Sequence, residues 1–231
     1  MEFRHNVVFL VDVDNTLLDN DRIISDIMLY LEHEVGPVRQ QQYWTIFEAI
    51  RSQLGYADYL GALQQYRIEN PRDSHLLDLS SFLVDYPFGS RLYPHAFEVL
   101  EHLRPFGPTV ILTDGDVVFQ PLKVSHSGLS QAVDGRVLIY VHKEQMLRDV
   151  EERYPAEHYV MIDDKLRILA AMKEAWGPRL TTVFPRQGHY AEDPQLLADY
   201  PAADVSIAAI GDLVTADVNE FLLGKTPPAL L

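Results

Sequence analysis

Two kinds of hydrophobic pattern divide the chain. Short, mainly apolar runs occupy residues 7–13, 109–112, 136–141, 159–162 and 180–184, and the first stays apolar until Asp12. β-Branched and aromatic residues dominate these runs and neither face is spared, as in parallel strands buried on both sides. Between residues 21 and 86 the period changes to that of a helix. Ile23, Ile24, Ile27, Met28 and Leu31 share one face and stop near Gly36-Pro37, and Tyr43, Phe47, Ile50 and Leu54 mark a second helix closed by Gly55. Tyr59, Leu63 and Tyr66 mark a third that Asn70-Pro71 ends, and Leu76, Leu79 and Leu83 a shorter fourth. The dense aromatics here, Tyr43, Trp44, Phe47, Tyr56, Tyr59 and Tyr66, are expected mostly to pack these helices together.

Because the helical block interrupts the chain after one strand, before any partner strand, it is expected to stand over that strand's carboxyl end as a lid. Strand and helix then alternate. Pro94 opens a helix with Phe97, Leu100 and Leu103 inward, Pro121 lies in the first turn of another that Gly128 closes, and His142-Lys143-Glu144 begins a third. Leu166, Leu169, Ala170 and Met172 supply the next helical face. Residues 204–223 offer a short strand and a helix before a loose end, GKTPPALL. The alternation predicts an α/β fold, a doubly wound (Rossmann-like) parallel sheet core with an inserted all-helical cap domain. The core is assigned to residues 1–18 and 87–231 and the cap to 19–86.

Chemistry collects where the apolar runs end. The stretch VVFLVDVDNTLLDN drives a buried strand into Asp12 and Asp14, which period-two geometry points to one face. Ionised carboxylates so close in a dry setting repel, and a cation or a shared proton resolves the repulsion. Thr113-Asp114-Gly115-Asp116 follows the second run and Asp163-Asp164 the fourth. In open parallel sheets, ligands bind beyond the carboxyl ends of the strands.

Composition narrows the function classes. The 231 residues carry 34 acidic and 19 basic side chains, a formal net charge of −15 with no Lys/Arg cluster, which argues against extended nucleic-acid binding. An acidic surface repels small anions, so a phosphate site needs local positive charge from a metal, a lysine or backbone N–H groups. Cysteine is absent, which removes disulfides and thiolate metal ligation. No run approaches the length of a membrane span, and carboxylates interrupt the N-terminal run before it could form a signal-peptide core. The expectation is a soluble cytoplasmic protein, monomer or homodimer, with no nucleic-acid or membrane partner.

In order, these residues form a known constellation. Asp12-Val13-Asp14-Asn15-Thr16, Thr113, Lys143 and Asp163-Asp164 resemble the four signature regions of the haloacid dehalogenase-like superfamily, with the helical insert where one branch carries its cap. The resemblance spans nearly the whole chain. It implies a phosphoryl-transfer enzyme in which Asp12 is the nucleophile, forming an aspartyl-phosphate, and Asp14 protonates the leaving alcohol and later takes a proton from water. It implies a Mg2+ cofactor held by Asp12, the Asp14 carbonyl and one carboxylate of the 163–164 pair, with Asp164 the first choice and Asp163 behind it or exchanging roles. Thr113 and the backbone around Asp114 and Gly115 would bind the phosphoryl group, and Lys143 would neutralise Asp12 and phosphate together.

Two positions depart from the commonest family pattern: Asn15 stands where Gly is frequent, and Asp114 where Asn or Ser often follows the threonine. Asn tolerates unusual backbone angles, whereas Asp114 adds negative charge beside a phosphate site, so its side chain either turns away or takes part in substrate choice. Family dehalogenases lack the second catalytic aspartate, so Asp14 favours phosphate-ester hydrolysis of a small phosphorylated substrate. A phosphomutase or phosphotransferase, or a non-catalytic member binding a phospho-ligand or a protein, are the alternatives. Candidates for substrate choice are Arg51, Gly55, Tyr56 and Asp58, and Arg186, Gln187, His189 and Tyr190, with exposed loop and helix-end roles the favoured reading of each residue taken singly.

Overall fold

The computed structural model describes residues 5–219. Six parallel strands form one sheet: β1 His5–Val11, β2 Thr109–Asp114, β3 Val137–Tyr140, β4 Ala156–Ile162, β5 Leu180–Pro185 and β6 Val205–Ile207. Their order, β3-β2-β1-β4-β5-β6, puts β1 at the centre, where the direction of winding reverses. Alternate residues of each strand face opposite layers. Val7, Phe9 and Val11 join one buried cluster with Ile111, Val160 and Val183. Val8 and Leu10 join the other with Val110, Leu112, Tyr159 and Met161. Both faces are covered, which is why the strands lack a polar alternation.

Four helices, α1 Asn20–Val35, α2 Pro37–Leu54, α3 Tyr59–Glu69 and α4 Leu76–Val84, lie between β1 and β2 in the chain. Gly36 ends α1 at φ 81° and Pro37 occupies the first turn of α2, so the predicted break is one sharp joint. Tyr43, Phe47, Tyr59 and Tyr66 are each at most 1 % exposed and pack the block as expected. Phe47 packs at a tilt on Tyr59, Tyr59 at a tilt on Phe119, and Phe88 edge-to-face on Phe119, so aromatic contacts tie the block to the segment after β2.

The remaining helices are α5 Ala96–Leu103, α6 Phe119–His126, α7 Leu129–Ala132, α8 Leu147–Arg153, α9 Leu166–Trp176, α10 Gly188–Glu192 and α11 Pro194–Asp199. Three details differ from the sequence reading. α5 begins at Ala96, behind a left-handed His95, and buries Ala96, Val99, Leu100 and Leu103, which leaves Phe97 outside that stripe at 43 % exposure. The helix after β2 ends at His126, and Gly128 caps the start of α7 rather than closing α6. Lys143 lies in a 3-10 turn, Lys143–Gln145, ahead of α8. After β6 a 3-10 turn spans Ile210–Thr215. The rest of the helix expected up to residue 223, and the GKTPPALL end, lie outside the described residues. Among the described residues no helix is long and apolar enough to cross a membrane.

Candidate active site

The end of β1 makes a tight turn. The Val13 carbonyl accepts hydrogen bonds from the N–H groups of Thr16, Leu17 and Leu18. Asn15 adopts φ 56°, the left-handed conformation that Asn accepts more readily than most residues. Its Oδ1 accepts from the N–H groups of Asn20 and Asp21 at 3.0 and 3.2 Å, so the side chain holds the entry into α1. Gln187 locks the same turn from β5, donating to the carbonyls of Asn15 and Thr16 while accepting from Ile210 N–H. Gln187 is therefore structural.

Asp12, Asp163 and Asp164 converge at the carboxyl ends of adjacent β1 and β4, each with an oxygen within 4.8 Å of the others. Lys143, 1 % exposed, reaches across from the end of β3. Its Nζ lies 2.5 Å from Asp12 Oδ1, 2.6 Å from Asp163 Oδ2 and 3.3 Å from the Leu112 carbonyl. Burial pulls the Lys143 pKa down, but Asp12 and Asp163 outweigh it and hold it above the ordinary lysine value. Thr16 Oγ1 donates to Asp12 Oδ2 at 3.4 Å and accepts from Asp164 N–H at 3.1 Å.

The two neighbouring aspartates differ in what they touch. Asp163 Oδ1 accepts from Lys165 N–H at 2.8 Å, and its other oxygen forms the ion pair with Lys143. Among the described residues neither oxygen of Asp164 has a hydrogen-bond partner, although the residue is fully buried. Burial pushes both carboxyls up, Asp164 well above its usual range. A buried, oxygen-only donor set with an orphaned carboxylate suits a hard divalent cation such as Mg2+, and among the pair Asp164 is the residue with free oxygens.

Asp14 faces elsewhere. Lys123, on α6 and 1 % exposed, donates to both Asp14 oxygens at 2.8 Å and to Asn20 Oδ1 at 2.7 Å. Thr113 Oγ1 accepts from Gln120 Nε2 at 2.9 Å. Asp114 turns toward the lysine loop, its Oδ1 accepting from Lys143 N–H at 2.7 Å, and burial raises its pKa to about 6, with Lys143 opposing. Gly115 contributes room rather than the expected donor: its N–H is spent on the Tyr140 carbonyl, and an added Cβ would stand 2.5 Å from Gln120.

A cavity of about 360 Å³ opens above these strand ends. Asp14, Asp114, Gly115 and Asp164 line it, whereas Asp12, Thr113, Lys143 and Asp163 are buried beside them, each at most 2 % exposed. The helical block contributes Phe47, Arg51, Gly55, Tyr56 and Tyr59, and the segments after β5 contribute His189 and Tyr190. Two groups singled out for substrate choice thus meet: Arg51 Nη2 donates to Tyr190 Oη at 3.0 Å. Asp58 instead caps α3, accepting from Gly61 N–H, and Arg186 does not line the cavity.

Lys123, Gln120 and Lys165 escaped the sequence reading. Lys123 and Gln120 sit in an ordinary amphipathic helix with no local mark of function. Lys165 did carry a signal, a cation directly after two carboxylates.

A family model described as haloacid dehalogenase-like hydrolase matches residues 7–175. The chain belongs to the haloacid dehalogenase-like hydrolases. A crystal structure described as a haloacid dehalogenase-like hydrolase of Burkholderia xenovorans LB400 is 63 % identical, covering 93 % of this chain and all of that one, with a TM-score of 0.88. L-2-Haloacid dehalogenase of Xanthobacter autotrophicus, with chloropropionic acid covalently bound, is 19 % identical with a TM-score of 0.57, covering 90 % of this hydrolase and 96 % of its own chain. The HAD-hydrolase YfnB of Bacillus subtilis, bound to magnesium, is 19 % identical with a TM-score of 0.59, covering 91 % and 97 %. These two share the fold. Comparison with curated proteins gives no match.

Proposed function

We propose that this hydrolase is a Mg2+-dependent phosphatase acting on a small phosphorylated metabolite through an aspartyl-phosphate, with the helical block 19–86 serving as cap over the core formed by 1–18 and 87–231. It works as a cytoplasmic monomer or homodimer. The observation that carries the reading is Asp14: a second carboxylate two residues after Asp12 that lines the cavity and is held in place by a buried lysine.

An Asp12 oxygen attacks phosphorus, the ester P–O bond breaks, and Asp14 gives a proton to the departing oxygen. Water then attacks the phosphoryl group of aspartyl-phosphate, losing its proton to Asp14, and inorganic phosphate departs. Lys143 holds Asp12 and balances charge on the phosphoryl oxygens. Thr113, whose oxygen accepts from Gln120, would turn its hydroxyl proton from the long 3.5 Å contact with the Asp114 carbonyl to the same group. Asp12, the Asp14 carbonyl and Asp164 would hold Mg2+, which would supply further positive charge beside the phosphoryl group.

Dehalogenation is the second reading, because the Xanthobacter neighbour carries that chemistry on this fold. At 19 % identity its likeness extends to the scaffold alone, and Asp14 favours an oxygen leaving group. The test is release of inorganic phosphate from an aryl phosphate with Mg2+, and of halide from 2-chloropropionate. Phosphate release that EDTA abolishes and Asp12→Asn eliminates supports the proposal. Halide release without phosphate release replaces it, phosphate recovered on a second acceptor makes the protein a phosphotransferase or phosphomutase, and tight ligand binding without turnover makes it a binding member.

A further inference from the structure

The cations around the cavity are nearly all engaged. Lys123 is held by Asp14 and Asn20, Lys143 by Asp12 and Asp163, and Arg167 by Glu144 at 2.7 Å. Lys165 is different. It lines the cavity, yet among the described residues no hydrogen bond or ion pair within 4.0 Å engages its ammonium group. Its Nζ stands 5.3 Å from the centroid of the Tyr190 ring, whose hydroxyl accepts from Arg51. One tyrosine therefore brings a lysine of the core and an arginine of the helical block into the same wall.

The setting makes that ammonium costly to leave idle. A lysine side chain lining a partly closed cavity gives up hydration that an anion bound there would replace. A chain of net charge −15 gains nothing from placing a spare cation here for solubility. Lys165 and Tyr190 follow β4 and β5, on the opposite side of β1 from Asp114 and Asp116, which follow β2. Asp116 is itself satisfied by the N–H groups of Val118 and Phe119 at 2.7 Å.

We infer that the substrate carries a second anionic group in its leaving portion, bound by Lys165 over the Tyr190 ring with Arg51 at its edge. The inference rests on the phosphatase reading for the first anion, the phosphoryl group at Asp12. It gives Lys165 the role of selecting among phosphate esters: a neutral alcohol leaves the ammonium unmatched, whereas a carboxylate or a second phosphate completes it.

The experiment compares propyl phosphate, 3-(phosphonooxy)propionate and propane-1,3-diyl bisphosphate, three esters of similar length with a neutral, a carboxylate and a phosphate terminus. The parent protein is expected to favour at least one anionic ester over the neutral one by roughly tenfold or more in kcat/KM. Lys165→Met collapses that ratio mainly through KM, and Lys165→Arg retains part of it. A parent with no preference for either anionic ester overturns the inference without requiring any variant to fold, and so does a folded Lys165→Met protein that keeps the full ratio. If the parent hydrolyses none of the three, calorimetry with propionate alone decides: binding that Lys165→Met weakens keeps the anion site and removes the phosphatase reading, while no binding removes the site.

Discussion

Lys123 Nζ lies 2.8 Å from both carboxylate oxygens of Asp14 and bridges that residue to Asn20, the first residue of the helical block. The lysine is 1 % exposed and the Asp14 side chain 21 %, so the pair is shielded from water on the side that matters most. Removing only the lysine leaves a largely buried carboxylate without its cation. Lys123→Met is expected to cost about 3 kcal/mol in urea denaturation, and Lys123→Met with Asp14→Asn to recover most of it. Strictly additive losses in the double variant would mean that the two residues do not act as a pair.

Asp164 gives a prediction of opposite sign. Both its oxygens are buried and unpartnered beside two further carboxylates. In EDTA, Asp164→Asn should therefore be more stable than the parent, by about 1–2 kcal/mol. Mg2+ should raise the parent's Tm and leave that of the variant nearly unchanged. An equal Mg2+ response in both proteins would remove Asp164 as a ligand.

Asp114 predicts a pH dependence. Burial raises its carboxyl from the ordinary 3.8 to about 6, so between these values the folded protein binds more protons than the unfolded chain. Stability from this group is therefore full below about pH 4 and falls as pH rises through about 6, by up to about 3 kcal/mol. Asp114→Asn has no such group to ionise. Chemical denaturation across pH 4–7 should show the variant gaining on the parent as pH rises, and parallel curves would refute the assignment.

Gly188 opens α10 at φ 69°, and an added Cβ would lie 2.6 Å from Asn15 Cγ. Asn15 is 2 % exposed and tied by its own hydrogen bonds to Asn20 and Asp21, so it cannot yield cheaply. Gly188→Ala is expected to lose roughly 2 kcal/mol or more in urea denaturation. The turn after Asp14 should shift with it, and hydrolase activity should fall further than the loss of folded protein accounts for.

The sheet was legible because each buried parallel strand is a local pattern, readable within a few residues: the runs at 7–13, 109–112, 159–162 and 180–184 became β1, β2, β4 and β5. The carboxylates ending β1 and β4 were legible for the same reason, since charge at the end of a buried run is anomalous in any fold. Phe97 misled because its bulk stood in for its spacing: Ala96, Val99, Leu100 and Leu103 form the helical stripe that α5 buries, and Phe97 falls outside it.

The sequence by itself determined the strands, the helical insert and the acidic residues at the strand ends. The family resemblance already paired Lys143 with Asp12, whereas tertiary structure alone decided that Lys123 meets Asp14 across 109 residues and that Arg51 meets the Tyr190 hydroxyl across 139. Hydrophobic periodicity reports on burial along one element, whereas an ion pair depends on the distance between two, and that distance exists only once the sheet order has brought the strand ends together.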